Sequence, residues 1–373
     1  MSFYDLISSY KWKDVEESIY SCDKNDVIRA INSDRISMND FKALLSPVAE
    51  SYINELAHMS MERTKKRFGY TVRLYAPLYL SNECANSCVY CGFNCKNQLE
   101  RLTLNEKQIE EELLCLKALG FEHVLLVTGE HPAKAGFDYI NKAIKIASRT
   151  FTQVSVEVQP LSEDHYRQLM NSGLHSVYVY QETYNQANYK LYHPSGKKSD
   201  YQWRLETPDR LGKAGIYKLG LGVLLGLENW RVDSFFTALH FRYLSKTYWK
   251  TKYSISFPRL RPHVGSYKPQ YPISDKQLVQ LIAAYRLLDE DLELSLSTRE
   301  NEHYRDNVFP VGITAMSAGS STEPGGYTHK NKALEQFSVS DDRDPQSIAS
   351  MLKNKGYDPV WKDWDYSLQH NIL

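Results

Sequence analysis

From residue 71 onward, short β-rich runs alternate with stretches of helical periodicity, and this alternation limits the fold more than any other feature of the chain. The runs cover 71–80, 123–128, 154–158, 176–180, 218–225, 252–257, 292–297 and 312–315. Between them, apolar residues recur at the spacing of an amphipathic helix. Helix ends are marked too. Thr103 with Glu106 three residues later makes a capping-box pattern before QIEEELLCLKALG, and Ser162 and Ser274 can cap EDHYRQLM and DKQLVQLIAAYRLL. Gly120, Gly173 and Gly215 stand where C-terminal glycine caps belong. Strand–helix alternation calls for a parallel sheet with helices outside it, and eight repeats call for an α/β fold of the closed or nearly closed (β/α)8 TIM type. An open, doubly wound sheet is the alternative. The 70 residues before the first run are polar, with short amphipathic helices such as 26–31 and 38–45. The expected organisation is an N-terminal helical extension over 1–70, the barrel over 71–320 and a C-terminal extension over 321–373.

A barrel collects its functional residues at the C-terminal ends of its strands. The strands here are followed by polar segments: SNEC, GE, QP, QET, RLRP, TRE and SAGS. Lysine plus arginine equals aspartate plus glutamate at 45 each, so the charge balance favours neither nucleic acid nor an acidic membrane as a partner. The N-terminus has no apolar run of signal-peptide length, and no stretch of about 18 apolar residues could span a bilayer. The expected location is the cytoplasm.

Four of the six cysteines fall between residues 84 and 95, in SNECANSCVYCGFNC. In a reducing compartment such a cluster reads as metal-binding or redox-active. Cys84, Cys88 and Cys91 have the spacing C-x3-C-x2-C just past the first strand. Thiolates are the natural ligands of iron–sulfur clusters. Three of them leave one iron of a four-iron cluster open to a small chelating molecule. A structural zinc site with Cys95 as fourth ligand is the alternative, but zinc sites usually space two cysteine pairs further apart. Cys22, Cys95 and Cys115 read as bystanders.

The cysteine spacing, with Tyr90 before the last cysteine and Gly92 after it, resembles the motif of the radical S-adenosylmethionine superfamily. That resemblance implies a [4Fe–4S] cluster on the three cysteines, with S-adenosylmethionine on the open iron. It also implies roles for VTGE at the second strand end. Gly129 and Glu130 would serve the cofactor's amino group, with Thr128 standing where the family has a first glycine. Glu182 in YQET and Arg204, with His193-Pro194 between them, resemble the residues that relatives use for the cofactor's ribose and carboxylate. Arginine suits a carboxylate because its fork is bidentate and always charged. Glu157, near the end of the third strand, could also reach this site, with a structural role as the alternative.

The segments PLYLSN, EVQP, YVYQETYN, RLETPDRLGKAGI, SISFPRLRP, LSLSTRE, SAGS and PGGY, with the tail WKDWD, extend the likeness over nearly the whole chain. Together they resemble the aromatic amino-acid lyases of that superfamily, and among these the thiamine-pathway tyrosine lyases. The resemblance implies cleavage of the Cα–Cβ bond of L-tyrosine to 2-iminoacetate and p-cresol, with methionine and 5′-deoxyadenosine formed. It carries Arg299 over as the anchor of the substrate carboxylate. Tyr79 and Ser317 become hydrogen-bonding residues at the amino-acid head group, with Ser320 close by. It implies a thiazole synthase subunit as partner and a flavodoxin or ferredoxin as electron donor. The rivals are tyrosine lyases of the hydrogenase-maturation type, tryptophan lyases, deazaflavin synthases that use tyrosine, and a non-enzymatic metal-binding scaffold. The hydrogenase-maturation type carries a second cysteine-ligated cluster in a C-terminal domain, and no cysteine follows Cys115 here.

Overall fold

The computed structural model describes residues 2–263, 265, 267–329 and 335–362. Among the described residues, eight parallel strands form the centre: β1 (Thr71–Ser81), β2 (His123–Thr128), β3 (Gln153–Glu157), β4 (Leu174–Tyr178), β5 (Lys218–Gly222), β6 (Lys252–Ser256), β7 (Glu293–Leu296) and β8 (Ala315–Ser317). Neighbours pair in chain order from β2 to β8, and β1 pairs with both β8 and β2. The barrel is therefore closed, which removes the open-sheet alternative. A ninth strand, β9 (Asp358–Val360), pairs in parallel with residues 71–73 of β1.

The period of two along each strand sorts side chains between helices and lumen. In β1, Val72, Leu74, Ala76, Leu78 and Leu80 belong to the main hydrophobic core, whereas Tyr75 and Tyr79 belong to a separate cluster inside the barrel. β2 sends Val124 and Leu126 outward and Leu125 and Val127 inward. Residues 177–180 do the same with Val177 and Val179 against Tyr178 and Tyr180. The large inward tyrosines fit because β5 has glycine opposite them. A Cβ on Gly220 would lie 2.1 Å from the Tyr178 ring, and one on Gly222 3.0 Å from the Tyr180 ring.

Below the mouth, the lumen is charged. Glu293 accepts from Arg73 at 2.5 Å and from Lys218 at 2.7 Å, all three side chains largely buried. Burial opposes ionisation of Glu293, but the two cations hold its carboxyl well below the usual range.

Two local expectations need correction. The eighth strand is Ala315–Ser317, and Gly312 instead ends the helix Glu302–Gly312, which contains Pro310. A β-branched run such as VGIT does not distinguish strand from buried helix by pattern alone. Packing decides it, because a Cβ on Gly312 would lie 3.2 Å from Ile282 and Ser60 of neighbouring helices. The helix expected after Thr103 starts two residues later, as Glu106–Ala118, with Asn105 and Gln108 forming the capping box. The Thr103 hydroxyl is instead 2.7 Å from that of Ser81 at the end of β1. Ser162 and Ser274 cap their helices as expected. Of WKDWD, Trp361 packs edge-on against Phe121, and the residues after Lys362 lie outside the described residues. Among the described residues no helix is long and apolar enough to cross a membrane.

Candidate active site

β1 delivers the cysteine loop to the mouth of the barrel, and backbone contacts hold it there. The Ala85 N–H donates to the Glu130 carbonyl at 2.9 Å, and the Gly129 N–H donates to the Ser81 carbonyl at 2.9 Å. Gly129 has no room for a side chain, because a Cβ there would lie 2.3 Å from the Glu83 carbonyl oxygen. Its glycine thus admits the cysteine loop itself. Arg101 clamps the other side of the loop by donating to the carbonyls of Asn82, Phe93 and Asn94.

All eleven site candidates named from the sequence line one cavity: Tyr79, Cys84, Cys88, Tyr90, Cys91, Gly129, Glu130, Glu182, Arg204, Arg299 and Ser317. Cys95 is exposed and is not among the lining residues. Burial pushes all three lining thiols up, Cys84 to about 11. They are protonated at neutral pH, so iron binding must release protons. Among the described residues no three His, Cys, Asp or Glu side chains converge to hold a single metal ion. The thiolates of a four-iron cluster sit on different irons and need no such common point.

Two ion pairs stand beside the thiols. Arg204 donates to Glu130 at 2.8 Å and to the Tyr180 carbonyl at 2.7 Å. The other oxygen of Glu130 accepts from Asn86 at 2.8 Å. Burial opposes the charge on Glu130, yet Arg204 and Lys198 hold its carboxyl below the usual range. Lys198 donates to Glu182 at 2.6 Å. Glu182 has φ +70° as a non-glycine residue, a strained conformation of the kind that persists where surrounding structure enforces it. Tyr90 is fixed by His193. The His193 Nδ1–H donates to the Tyr189 carbonyl at 2.9 Å, leaving Nε2 to accept from the Tyr90 hydroxyl at 2.8 Å. Burial pushes His193 down to about 2, so it stays neutral.

The opposite wall differs. Arg299 is stacked on the Phe337 ring at 3.5 Å, and its remaining contact is with the Arg259 carbonyl at 3.4 Å. Among the described residues no carboxylate pairs with it. Arg259, by contrast, is committed to Glu300 and Asp275. The Tyr79 hydroxyl donates to Gln336 Oε1 at 2.8 Å, and Gln336 Nε2 donates to Cys91 Sγ at 3.6 Å. The Ser317 hydroxyl accepts from the Thr298 N–H at 2.9 Å. Ser320 Oγ and Thr128 Oγ1 are buried in the same lining without a partner among the described residues. Glu157 ends β3 inside the cavity, and burial together with Glu182 pushes its carboxyl up to about 7.

The sequence reading missed Asn86, Lys198 and Gln336. Asn86 sits inside the cysteine motif and carried a signal, being a polar residue between two ligands. Lys198, in the short 3-10 turn Lys197–Ser199 between His193-Pro194 and Arg204, and Gln336 carried none. The donor set suits the implied cofactors: three thiols on one cavity wall for a cluster, paired charges for the amino and carboxylate groups of S-adenosylmethionine, and hydroxyls without a partner among the described residues for further polar contacts.

Comparison with known proteins agrees with this chemistry. Residues 78–239 match the Radical SAM superfamily, and residues 256–358 match the Biotin and Thiamin Synthesis associated domain. The 2-iminoacetate synthase of Escherichia coli (strain K12) is 49% identical over 98% of this chain and 97% of its own length. That of Salmonella typhimurium is 50% identical over the same shares. Among solved structures, HydG, described as a maturase of the [FeFe]-hydrogenase, aligns with a TM-score of 0.89 at 30% identity. It covers 96% of this chain and 80% of its own.

Proposed function

The chain belongs to the 2-iminoacetate synthase family of radical S-adenosylmethionine enzymes, and from that premise we propose that it cleaves the Cα–Cβ bond of L-tyrosine to 2-iminoacetate and p-cresol. Cys84, Cys88 and Cys91 hold the [4Fe–4S] cluster, and Glu130, Glu182 and Arg204 hold S-adenosylmethionine, with Tyr90 beside them. When bound, these groups supply one-electron chemistry that removes a hydrogen atom from the substrate. The protein's own residues bind, orient and shield. Arg299 receives the tyrosine carboxylate, for which a buried bidentate cation is the fitting partner. Tyr79 and Ser317 position the amino-acid head group. Tyr75, Tyr180, Leu125 and Val127 line the cavity below and exclude water from it.

One observation carries this reading: Arg299, which pairs with no carboxylate among the described residues, lines the same cavity as the three thiols. A free carboxylate brought there meets the site where the cofactors work. 2-Iminoacetate hydrolyses readily, so a thiazole synthase subunit that takes it directly is the partner such a product calls for. A flavodoxin or ferredoxin provides the two electrons the reaction consumes, one for cleavage of S-adenosylmethionine and one for reduction of the released side-chain radical, which is then protonated to p-cresol. Reduced thiols suit a reducing compartment such as the cytoplasm. The test is anaerobic iron–sulfide reconstitution followed by turnover with tyrosine and S-adenosylmethionine. Tyrosine-dependent p-cresol, with 5′-deoxyadenosine and the glyoxylate left by imine hydrolysis, is the expected outcome. Cofactor cleavage that tyrosine does not stimulate, with no p-cresol, would overturn the reading.

A further inference from the structure

The carboxylates of the cavity are not equivalent. Glu130 is engaged by Arg204 and Asn86, and Glu182 by Lys198. The side chain of Glu157 forms no ion pair and no hydrogen bond among the described residues, although it is half-buried and lines the same cavity. Its backbone is fixed at the end of β3 by pairing with Val127 of β2. A half-buried carboxyl group that faces a cavity from a rigid strand, without a partner among the described residues, is open to a ligand that completes it. Arg299 is the complementary case, a half-buried cation in the same lining that pairs with no carboxylate among the described residues. The two act on each other across the cavity, Arg299 lowering and Glu182 raising the proton affinity of Glu157.

A free amino acid has the matching charges, a carboxylate and an ammonium on one carbon. We infer that Glu157 receives the α-ammonium group of the substrate while Arg299 receives its carboxylate. Together they select for a free, zwitterionic amino acid over a peptide or an acid that lacks the amine. The inference rests on the tyrosine reading above and deepens it. The cation leaves Glu157 ionised in the complex, which closes the one uncommitted acid of the lining. It also fixes the Cα of the substrate from two sides, so that its side chain is directed by geometry and not by contact alone.

The experiment separates the two groups by their ligands. The full-length protein with its cluster is titrated anaerobically, without reductant and with S-adenosylmethionine present, against L-tyrosine and against 3-(4-hydroxyphenyl)propanoate, which lacks only the amine. Calorimetry gives both affinities for the wild type, Glu157→Gln and Glu157→Asp, and the S-adenosylmethionine affinity in each. The expected result is a loss of about ten- to a hundredfold in tyrosine affinity for Glu157→Gln, the loss typical of one charge-assisted contact. The propanoate should change by less than about twofold, and Glu157→Asp should retain part of the tyrosine affinity. Unchanged tyrosine binding in Glu157→Gln, or an equal loss for both ligands, would overturn the assignment of Glu157. So would loss of S-adenosylmethionine binding in both variants, which would make Glu157 a structural residue. Failure of the wild type to bind tyrosine would instead overturn the substrate reading on which the inference rests.

Discussion

Arg299 should make the unliganded protein less stable than it could be. Its guanidinium is largely withdrawn from water, its proton affinity is lowered by that, and no carboxylate among the described residues pairs with it directly, Glu157 and Glu182 acting on it only from a distance. Withdrawing an ion from water costs several kcal/mol even after relaxation. The stacking on Phe337 at 3.5 Å returns about 2 kcal/mol, the magnitude for a desolvated cation on an aromatic face. The long 3.4 Å contact with the Arg259 carbonyl adds little. The balance is a deficit of roughly 1–3 kcal/mol, so Arg299→Met, which keeps the length of the stem and removes the charge, should stabilise the unliganded chain by about that amount. The same change should abolish tyrosine binding, because each charge-assisted hydrogen bond to the carboxylate is worth about 1.5–3 kcal/mol. The assay pairs anaerobic urea unfolding, followed by far-UV circular dichroism, with calorimetric titration of tyrosine. Opposite signs are expected: a higher unfolding midpoint and no binding. A variant that is less stable by about 1 kcal/mol or more, or that binds tyrosine as well as the wild type, would refute the reasoning.

Three further outcomes are expected. Glu293→Gln removes the carboxylate that the buried cations Arg73 and Lys218 share, and urea unfolding at pH 7 should show a loss of about 3–5 kcal/mol. Because the folded-state pKa of Glu293 is depressed, its contribution is complete above the unfolded value of about 4.3 and is lost only as pH falls further. The difference between variant and wild type should therefore be the same at pH 7 and pH 5.5, and a difference that grows on acidification would contradict the ion-pair account. Alanine at Cys84, Cys88 or Cys91 should remove iron and the broad thiolate-to-iron absorption after reconstitution, whereas Cys95→Ala should keep both. Arg204→Ala should weaken S-adenosylmethionine binding about ten- to a hundredfold, measured by equilibrium dialysis, and unchanged binding would remove Arg204 from the cofactor site.

The barrel and its cysteine loop were legible because each rests on short-range pattern. Period-two runs such as Thr71–Ser81 and capped helices such as Asp275–Leu288 state their own conformation. The residues at strand ends could be assigned to one mouth because the topology of a barrel leaves them nowhere else. What could not be read depends on contacts across long stretches of chain. Gln336 meets Tyr79 and Cys91 from 257 and 245 residues away, and no local pattern encodes that. Lys198 reaches Glu182 only because its loop folds back over the cysteines, where Gly196 has φ +89° and a Cβ would lie 2.1 Å from Asn86 Oδ1. The helix end at Gly312 was hidden for the same reason, since packing against Ser60 and Ile282 decided it and not local propensity. Ser317 was placed in the lining, but sequence alone could not show that its hydroxyl already serves Thr298 while that of Ser320 is unpartnered.

The strand that carries the cysteines is also the strand that closes the barrel, and this sets an order of assembly. β1 is translated early, yet one of its edges is filled by β8, more than two hundred residues later. The Gly92 N–H waits for the carbonyl of Gln336, at 3.1 Å, and the Tyr79 hydroxyl for the side chain of the same residue. Until that late part of the chain has arrived, the loop keeps its contacts with Arg101 and Glu130 but lacks those with Gln336. Contacts this distant in sequence form slowly. A cluster inserted before the last barrel strand docks would therefore meet a loop that still lacks its contacts with Gln336.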